Sequence, residues 1–277
     1  MINFTKMQGA GNDFILLTEN EAKKVENLES FIISICDRHF GIGSDGVMIV
    51  RESKDCDVFM SYYNSDGSMG EMCGNGLRCF SKYVYVKGIV DKKKFNVETL
   101  NGVKVVEIVE NDEGKIRGVK VDMGKFIMEP KLIPVMSEEP VINKKLSILG
   151  KDFEINQVLM GVPHTVIFVD ELKSEYVKEY GKLIENNSLF PNKTNVNFVK
   201  IVDDKTIEVD TWERGAGHTL ACGTGACSSA YFANFHGFTG KTVDVKVLGG
   251  KLKIELVDDM CFMEGEAKMI CDGQYYY

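Results

Sequence analysis

Met72-Cys73-Gly74-Asn75-Gly76 and Ala221-Cys222-Gly223-Thr224-Gly225 are two versions of one phrase, Cys-Gly-x-Gly, set half a chain apart in 277 residues. A thiol followed at once by glycines suits a sharp entry into a helix. Glycine tolerates close backbone approach, and the helix start directs N–H groups and positive dipole at whatever lies in front of it. Such surroundings lower a cysteine pKa, and the thiolate is the reactive form. Two copies predict two thiols addressing one substrate from opposite sides.

The phrase belongs to a longer echo. Val97-Glu98-Thr99-Leu100-Asn101-Gly102 returns as Val245-Lys246-Val247-Leu248-Gly249-Gly250, each time at a similar distance behind its cysteine and each time followed by alternating apolar and polar residues. That pattern reads as a hairpin. Met7-Gln8-Gly9 and Met160-Gly161 introduce the apolar runs Phe14–Leu17 and Val166–Val169. The order and offset predict two similar domains rather than a repeat array, whose period would be far shorter. The junction falls near Asp122-Met123-Gly124, ahead of the proline-containing stretch 129–140.

Local patterns predict mixed α/β structure dominated by strands. Two strands over Asn3–Leu17 meet at Gly9-Ala10-Gly11-Asn12, and Glu26–Cys36 has helical spacing through Leu28, Phe31, Ile32 and Ile35. Val47–Val50 and Val58–Tyr63 read as strands, and a helix follows Cys73 as far as Gly88. In the second half, Leu172–Asn186 reads as a helix and Val196–Val202 and Ile207–Trp212 as strands. From Gly215 through Gly240 there is no Asp, Glu, Lys or Arg. A helix without charge on any face is a buried one, so the helix after Cys222 is expected at the centre of its domain.

Composition narrows the chemistry. The formal net charge is −8 and 44% of residues are hydrophobic. This acidic balance argues against nucleic acid and anionic membrane surfaces as partners. No apolar run is long enough to span a bilayer. The N-terminus lacks a signal-peptide pattern, and the eight cysteines read as reduced thiols; the expected location is cytoplasmic. Cys73 and Cys79, like Cys222 and Cys227, are too far apart for the C-x₂₋₄-C spacing of structural zinc, and His39, His164, His218 and His236 are scattered. A single Cys/His nucleophile would leave the duplication unexplained. A thiol redox or binding protein on a duplicated scaffold is a reading of a different class.

Further signatures are Gly9-Ala10-Gly11-Asn12-Asp13-Phe14, Arg38-His39-Phe40-Gly41-Ile42-Gly43, Tyr63-Asn64-Ser65-Asp66-Gly67-Ser68, Pro163-His164, Thr194-Asn195 and Glu213-Arg214-Gly215-Ala216-Gly217. With the two cysteine phrases, they make the chain resemble diaminopimelate epimerases nearly end to end. The resemblance implies two pseudosymmetric α/β domains, each a barrel-like, mostly antiparallel sheet around a central helix, with a site in the cleft between them. The expected division is 1–122 plus 267–277 and 123–266. It implies a cofactor-independent isomerase of lysine and cell-wall precursor biosynthesis, an amino-acid substrate and a homodimer. Cys73 and Cys222 would exchange thiolate and thiol roles across the α-carbon. Gly74, Asn75, Gly223 and Thr224 would hold the α-carboxylate on backbone N–H groups. Asn64, Asn195 and Arg214 would take the distal carboxylate and Glu213 the distal ammonium, with Asn12 and His164 lining the cleft. Val162 stands where the family commonly has Asn, and His218 where it commonly has Glu. These departures leave a histidine or lanthionine racemase as the alternative.

Overall fold

Apolar alternation builds the first hairpin from β1 (Ile2–Gly9) and β2 (Asn12–Thr18) in a computed structural model that describes residues 1–277. The two turn residues, Ala10 and Gly11, have φ of 54° and 84°. That left-handed pair matches the strand twist of a two-residue hairpin. Helix α1 (Glu19–Ala22) is a single turn, and α2 (Leu28–Cys36) starts at Asn27, whose side chain accepts the Ser30 N–H at 3.0 Å. The buried face of α2 (Phe31, Ile32, Ile35) packs with Ile2, Ile15, Leu17, Val47 and Ile49. The helix thereby carries the chain across to β3 (Gly46–Arg51), parallel to β2.

Strand β4 (Val58–Asn64) returns antiparallel, followed by the short β5 (Met69–Gly70) and by α3 (Gly74–Val86). Helix α3 is buried along most of its length and packs against β1, β2 and β3. It is the crossover to β6 (Lys94–Thr99), which lies parallel to β4 and pairs with β7 (Gly102–Glu110) and, through it, with β8 (Ile116–Lys125).

The second half repeats this order. Strands β9 (Lys144–Ile148), β10 (Lys151–Met160) and β11 (Val162–Phe168) are antiparallel neighbours, and α4 (Ser174–Glu185) leads to β12 (Asn195–Ile201), parallel to β11. Next come β13 (Thr206–Glu213), the short β14 (Gly217–Thr219) and α5 (Gly223–Phe235). Strand β15 (Thr242–Val247) is parallel to β13, and β16 (Gly250–Val257) and β17 (Met260–Gly265) follow. The apolar face of α4 packs with Phe153, Ile155, Val196 and Phe198, while α5 packs against β10 through β13, β15 and β16.

The last strand, β18 (Lys268–Tyr275), pairs antiparallel with β1 from Ile2↔Tyr275 to Gln8↔Lys268. It takes the place beside β1 that β9 takes beside β10, so the chain end completes the first unit. The chain divides into Met1–Asp122 with Glu264–Tyr277, and Met123–Met263. The return to the first unit comes slightly before the expected residue 267. Each unit is a sheet around its own helix, α3 or α5, with a second helix on the outer face. No helix is long and apolar enough to cross a membrane.

Candidate active site

Each cysteine of the duplicated phrase is the N-cap of its unit's central helix. Cys73 has extended backbone (φ −133°, ψ 119°) immediately before α3, and Cys222 (φ −114°, ψ 112°) immediately before α5. Gly74 and Asn75, and Gly223 and Thr224, are the first helical residues, whose N–H groups lie outside the helix's own ladder. The final glycine of each phrase is required by packing rather than by a turn. A Cβ on Gly76 would lie 1.8 Å from Met48 Cε, and one on Gly225 would lie 2.3 Å from Asn197 Oδ1.

In the first unit, the Cys73 thiol lies 3.4 Å from Asn12 Oδ1. The end of the Asn12 amide that faces the sulfur is set by Asp45, because a carboxylate can only accept. Asp45 Oδ2 takes Asn12 Nδ2–H and, at 3.1 Å, the Asp13 N–H. Asp45 is held in turn by Arg38 at 2.7 Å, which also pairs with Asp13 at 2.8 Å. Asn64 is similarly fixed. Burial, and then the nearby Cys73, push the Tyr62 hydroxyl pKa up, so Tyr62 donates to Asn64 Oδ1 at 2.9 Å. The Asn64 Nδ2 donates to Ser68 at 3.0 Å.

In the second unit, Cys222 is buried, and its sulfur accepts the Gly225 N–H at 3.4 Å and lies 3.5 Å from Thr224 Oγ1. The helix start was expected to acidify this thiol. Instead its pKa is raised well above the ordinary value, by burial first and by the charge of Glu213 second. Both effects outweigh Thr224 and the Gly225 N–H, so the resting residue is a thiol beside the Glu213 carboxylate. Burial also raises the Glu213 pKa, which Thr219, donating at 2.7 Å, partly offsets.

Glu213 ends β13, and a tight turn with positive φ at Gly215 (78°) and Gly217 (81°) returns to β14. Arg214 at its tip is exposed, so in the free protein its charge is hydrated and needs no buried partner. Its backbone N–H reaches Asn195 Oδ1 at 2.9 Å, and its Nη1 reaches the Asn192 carbonyl at 3.1 Å. Buried Asn195 also donates to Pro163 O at 2.9 Å. The side chain of His218, one of the two family departures, is taken up by buried Asp210 at 2.7 Å.

His164 is fully buried, and its tautomer follows from Asn197. Asn197 Nδ2 donates to the Thr165 carbonyl at 3.0 Å, which fixes the amide, and Oδ1 accepts from Thr211 at 3.1 Å. The second Nδ2–H therefore faces His164 Nδ1 at 3.1 Å. Nδ1 must be the bare nitrogen, and the ring proton is on Nε2, which has no protein partner. Burial, and then Arg214, push the His164 pKa down to about 3 from 6.5. The unfolded chain takes up this proton as pH falls through 6.5; the folded protein does not until near 3. Folded stability should therefore fall across that window by about 1.4 kcal/mol per pH unit, roughly 4–5 kcal/mol in all. Urea unfolding at a series of pH values should show a shallower acid slope for His164→Gln than for the unaltered protein; equal slopes would contradict this burial.

The structure thus places Asn12, Asn64, Cys73, Gly74 and Asn75 in the first unit, and His164, Asn195, Glu213, Arg214, Cys222, Gly223 and Thr224 in the second. Sequence reading missed Asp45, Tyr62, Asn197 and Thr219, the residues that orient the others. Asp45, Asn197 and Thr219 each act on a residue of another strand or loop, which local sequence does not mark, whereas Tyr62 acts on Asn64 two positions along the same strand.

The sequence profile described as diaminopimelate epimerase matches residues 4–129 and 157–270. The chain is 50% identical to the diaminopimelate epimerase of Alkaliphilus metalliredigens, covering 99% of this chain and 97% of that one. It is 48% identical to that of Clostridium perfringens over the full length of both. Among solved structures, a phenazine biosynthesis protein of the PhzF family from Bacillus anthracis superposes with a TM-score of 0.71 at 16% identity, covering 100% of this chain and 99% of that one. A hydroxyproline epimerase from Agrobacterium vitis, with bound trans-4-hydroxy-L-proline, gives a TM-score of 0.71 at 12% identity over 99% of this chain and 90% of that one. The solved structures share the fold. With the profile and the full-length identity added to two helix-capping cysteines, the chain belongs to the diaminopimelate epimerase family.

Proposed function

We propose that this isomerase interconverts LL- and meso-2,6-diaminopimelate for lysine biosynthesis, by proton transfer between the α-carbon and two cysteines, as a cytoplasmic homodimer without a cofactor. The observation that carries this reading is the repeated setting of Cys73 and Cys222, each capping the buried central helix of a unit of the same topology. Inverting a stereocentre requires removal of a proton on one face and delivery on the other, and two thiols in like settings suit both directions.

The α-hydrogen beside a carboxylate is a weak acid, so the main demand is stabilisation of charge on that carboxylate as the proton leaves. The N–H groups of Gly74, Asn75, Gly223 and Thr224 are assigned to it. A preorganised donor of this kind contributes roughly 2.7–4 kcal/mol in one measured case. Asn12 keeps Cys73 oriented. At Cys222, the resting proton is held on sulfur by burial and by Glu213. A substrate ammonium paired with Glu213 neutralises that carboxylate and eases formation of the Cys222 thiolate when the opposite hand is bound. Asn64, Asn195 and Arg214 are assigned to the distal carboxylate.

The test is incubation with meso- or LL-diaminopimelate in deuterium oxide. Deuterium should enter the α-position as the two epimers interconvert. Absence of exchange, together with rapid thiol–disulfide interchange, would favour the redox reading instead.

A further inference from the structure

We propose that Glu185 is a positioning residue for substrate recognition, its two carboxylate oxygens fixing the turn that presents Glu213 and Arg214. The inference rests on the assignment of Arg214 to the distal head of the substrate.

Glu185 is the last residue of α4 and only 5% exposed. Its Oε2 accepts the indole N–H of Trp212 at 2.7 Å, and its Oε1 accepts the backbone N–H of Gly215 at 3.1 Å. Trp212 and Gly215 immediately flank Glu213 and Arg214, so one carboxylate grips the turn on both sides of the pair. Trp212 is also seated on α4 itself. A Cβ on Gly181, one turn earlier, would lie 2.5 Å from Trp212 Cβ, so glycine there lets the strand come close. The base of the turn is thus a rigid helix, which is what precise placement of a binding side chain needs.

The chemistry of the position points the same way. A buried carboxylate is costly, and the nearest cation, half-exposed Lys193, is 3.8 Å away. Packing alone would be served by an apolar side chain. Two converging N–H donors, however, require two acceptors, which glutamate has and glutamine lacks. One of these donors belongs to Gly215, whose φ of 78° sets the turn. Losing that bond frees the backbone carrying Arg214, leaving Asn195 and Asn192 as its remaining anchors.

Glu185→Gln keeps the shape but sets an NH₂ group against one of the two donors. A lost hydrogen bond to a charged acceptor corresponds to roughly a 10–100-fold effect. A distal grip acting equally in ground and transition states appears in KM. The expected result is therefore KM for meso-diaminopimelate raised about 10–100-fold with kcat within about 3-fold, and faster hydrogen exchange at the Gly215 amide. Trp212→Phe removes one donor, so adding Glu185→Gln in that background should change KM no more than about 3-fold. Unchanged KM in Glu185→Gln, with or without a lower melting temperature, would reduce Glu185 to a structural strut and overturn the proposal. An equal penalty in both backgrounds would overturn it too. Arg214→Ala separates the two levels of inference. If it leaves KM unaltered, the Arg214 assignment fails; if it raises KM while Glu185→Gln does not, only the Glu185 inference fails.

Discussion

Serine in place of Cys73 or Cys222 is expected to lower epimerisation by about 10⁴-fold, the upper end of what one positioned acid or base contributes. Serine preserves the N-cap and the packing of α3 or α5, so thermal stability should change little. The two variants should also fail differently. Each retains one thiol, which can still exchange the α-proton of a single epimer with solvent but cannot deliver a proton to the far face. Deuterium wash-in measured separately on the two α-epimers should therefore be complementary between Cys73→Ser and Cys222→Ser. Full activity in either variant, or loss of exchange from the same epimer in both, would contradict the two-thiol mechanism. Cys36→Ser is the control. That thiol is buried against Ser44 at 3.1 Å, and burial raises its pKa, so its removal should leave turnover nearly unchanged.

Substrate choice is the second large effect. Arg214, Asn64 and Asn195 supply donors suited to the carboxylate of a second amino-acid head beyond the reacting centre. Arg214 offers a planar fork for a carboxylate, and its exposure in the free protein means the charge is desolvated only on binding. A substrate without the matching head then leaves it unpaired. Sites built for polar groups reject analogues that lack them by about 10⁴–10⁵. The expected order of kcat/KM therefore puts diaminopimelate far ahead of histidine and alanine, with lanthionine between, and Arg214→Ala should collapse most of this preference. Histidine as the best substrate would mark Val162 and His218 as signs of a repurposed pocket. The pairing of His218 with Asp210 argues for a structural use of that departure.

The sequence by itself determined the duplication, both helix-capping cysteines and most regular elements. These rest on short-range rules: apolar spacing, glycine after a cap, and the Gly9-Ala10-Gly11-Asn12 junction between the first two strands. The uncharged run from Gly215 to Gly240 was enough to mark α5 as the buried helix. Beyond that range local rules have nothing to say. The pairing of β18 with β1 joins the two ends of the chain. The need for glycine at 76 and 225 comes from Met48 and Asn197 on strands far away in sequence. Asp45, Asn197 and Glu185 became visible only once the tertiary fold brought their acceptors and donors to residues distant in sequence. The protonation of Cys222 shows the limit most directly. The helix start, legible in sequence, favours the thiolate, but burial and the Glu213 carboxylate reverse that preference. Desolvation depends on everything packed around the sulfur, so only the tertiary structure could decide it.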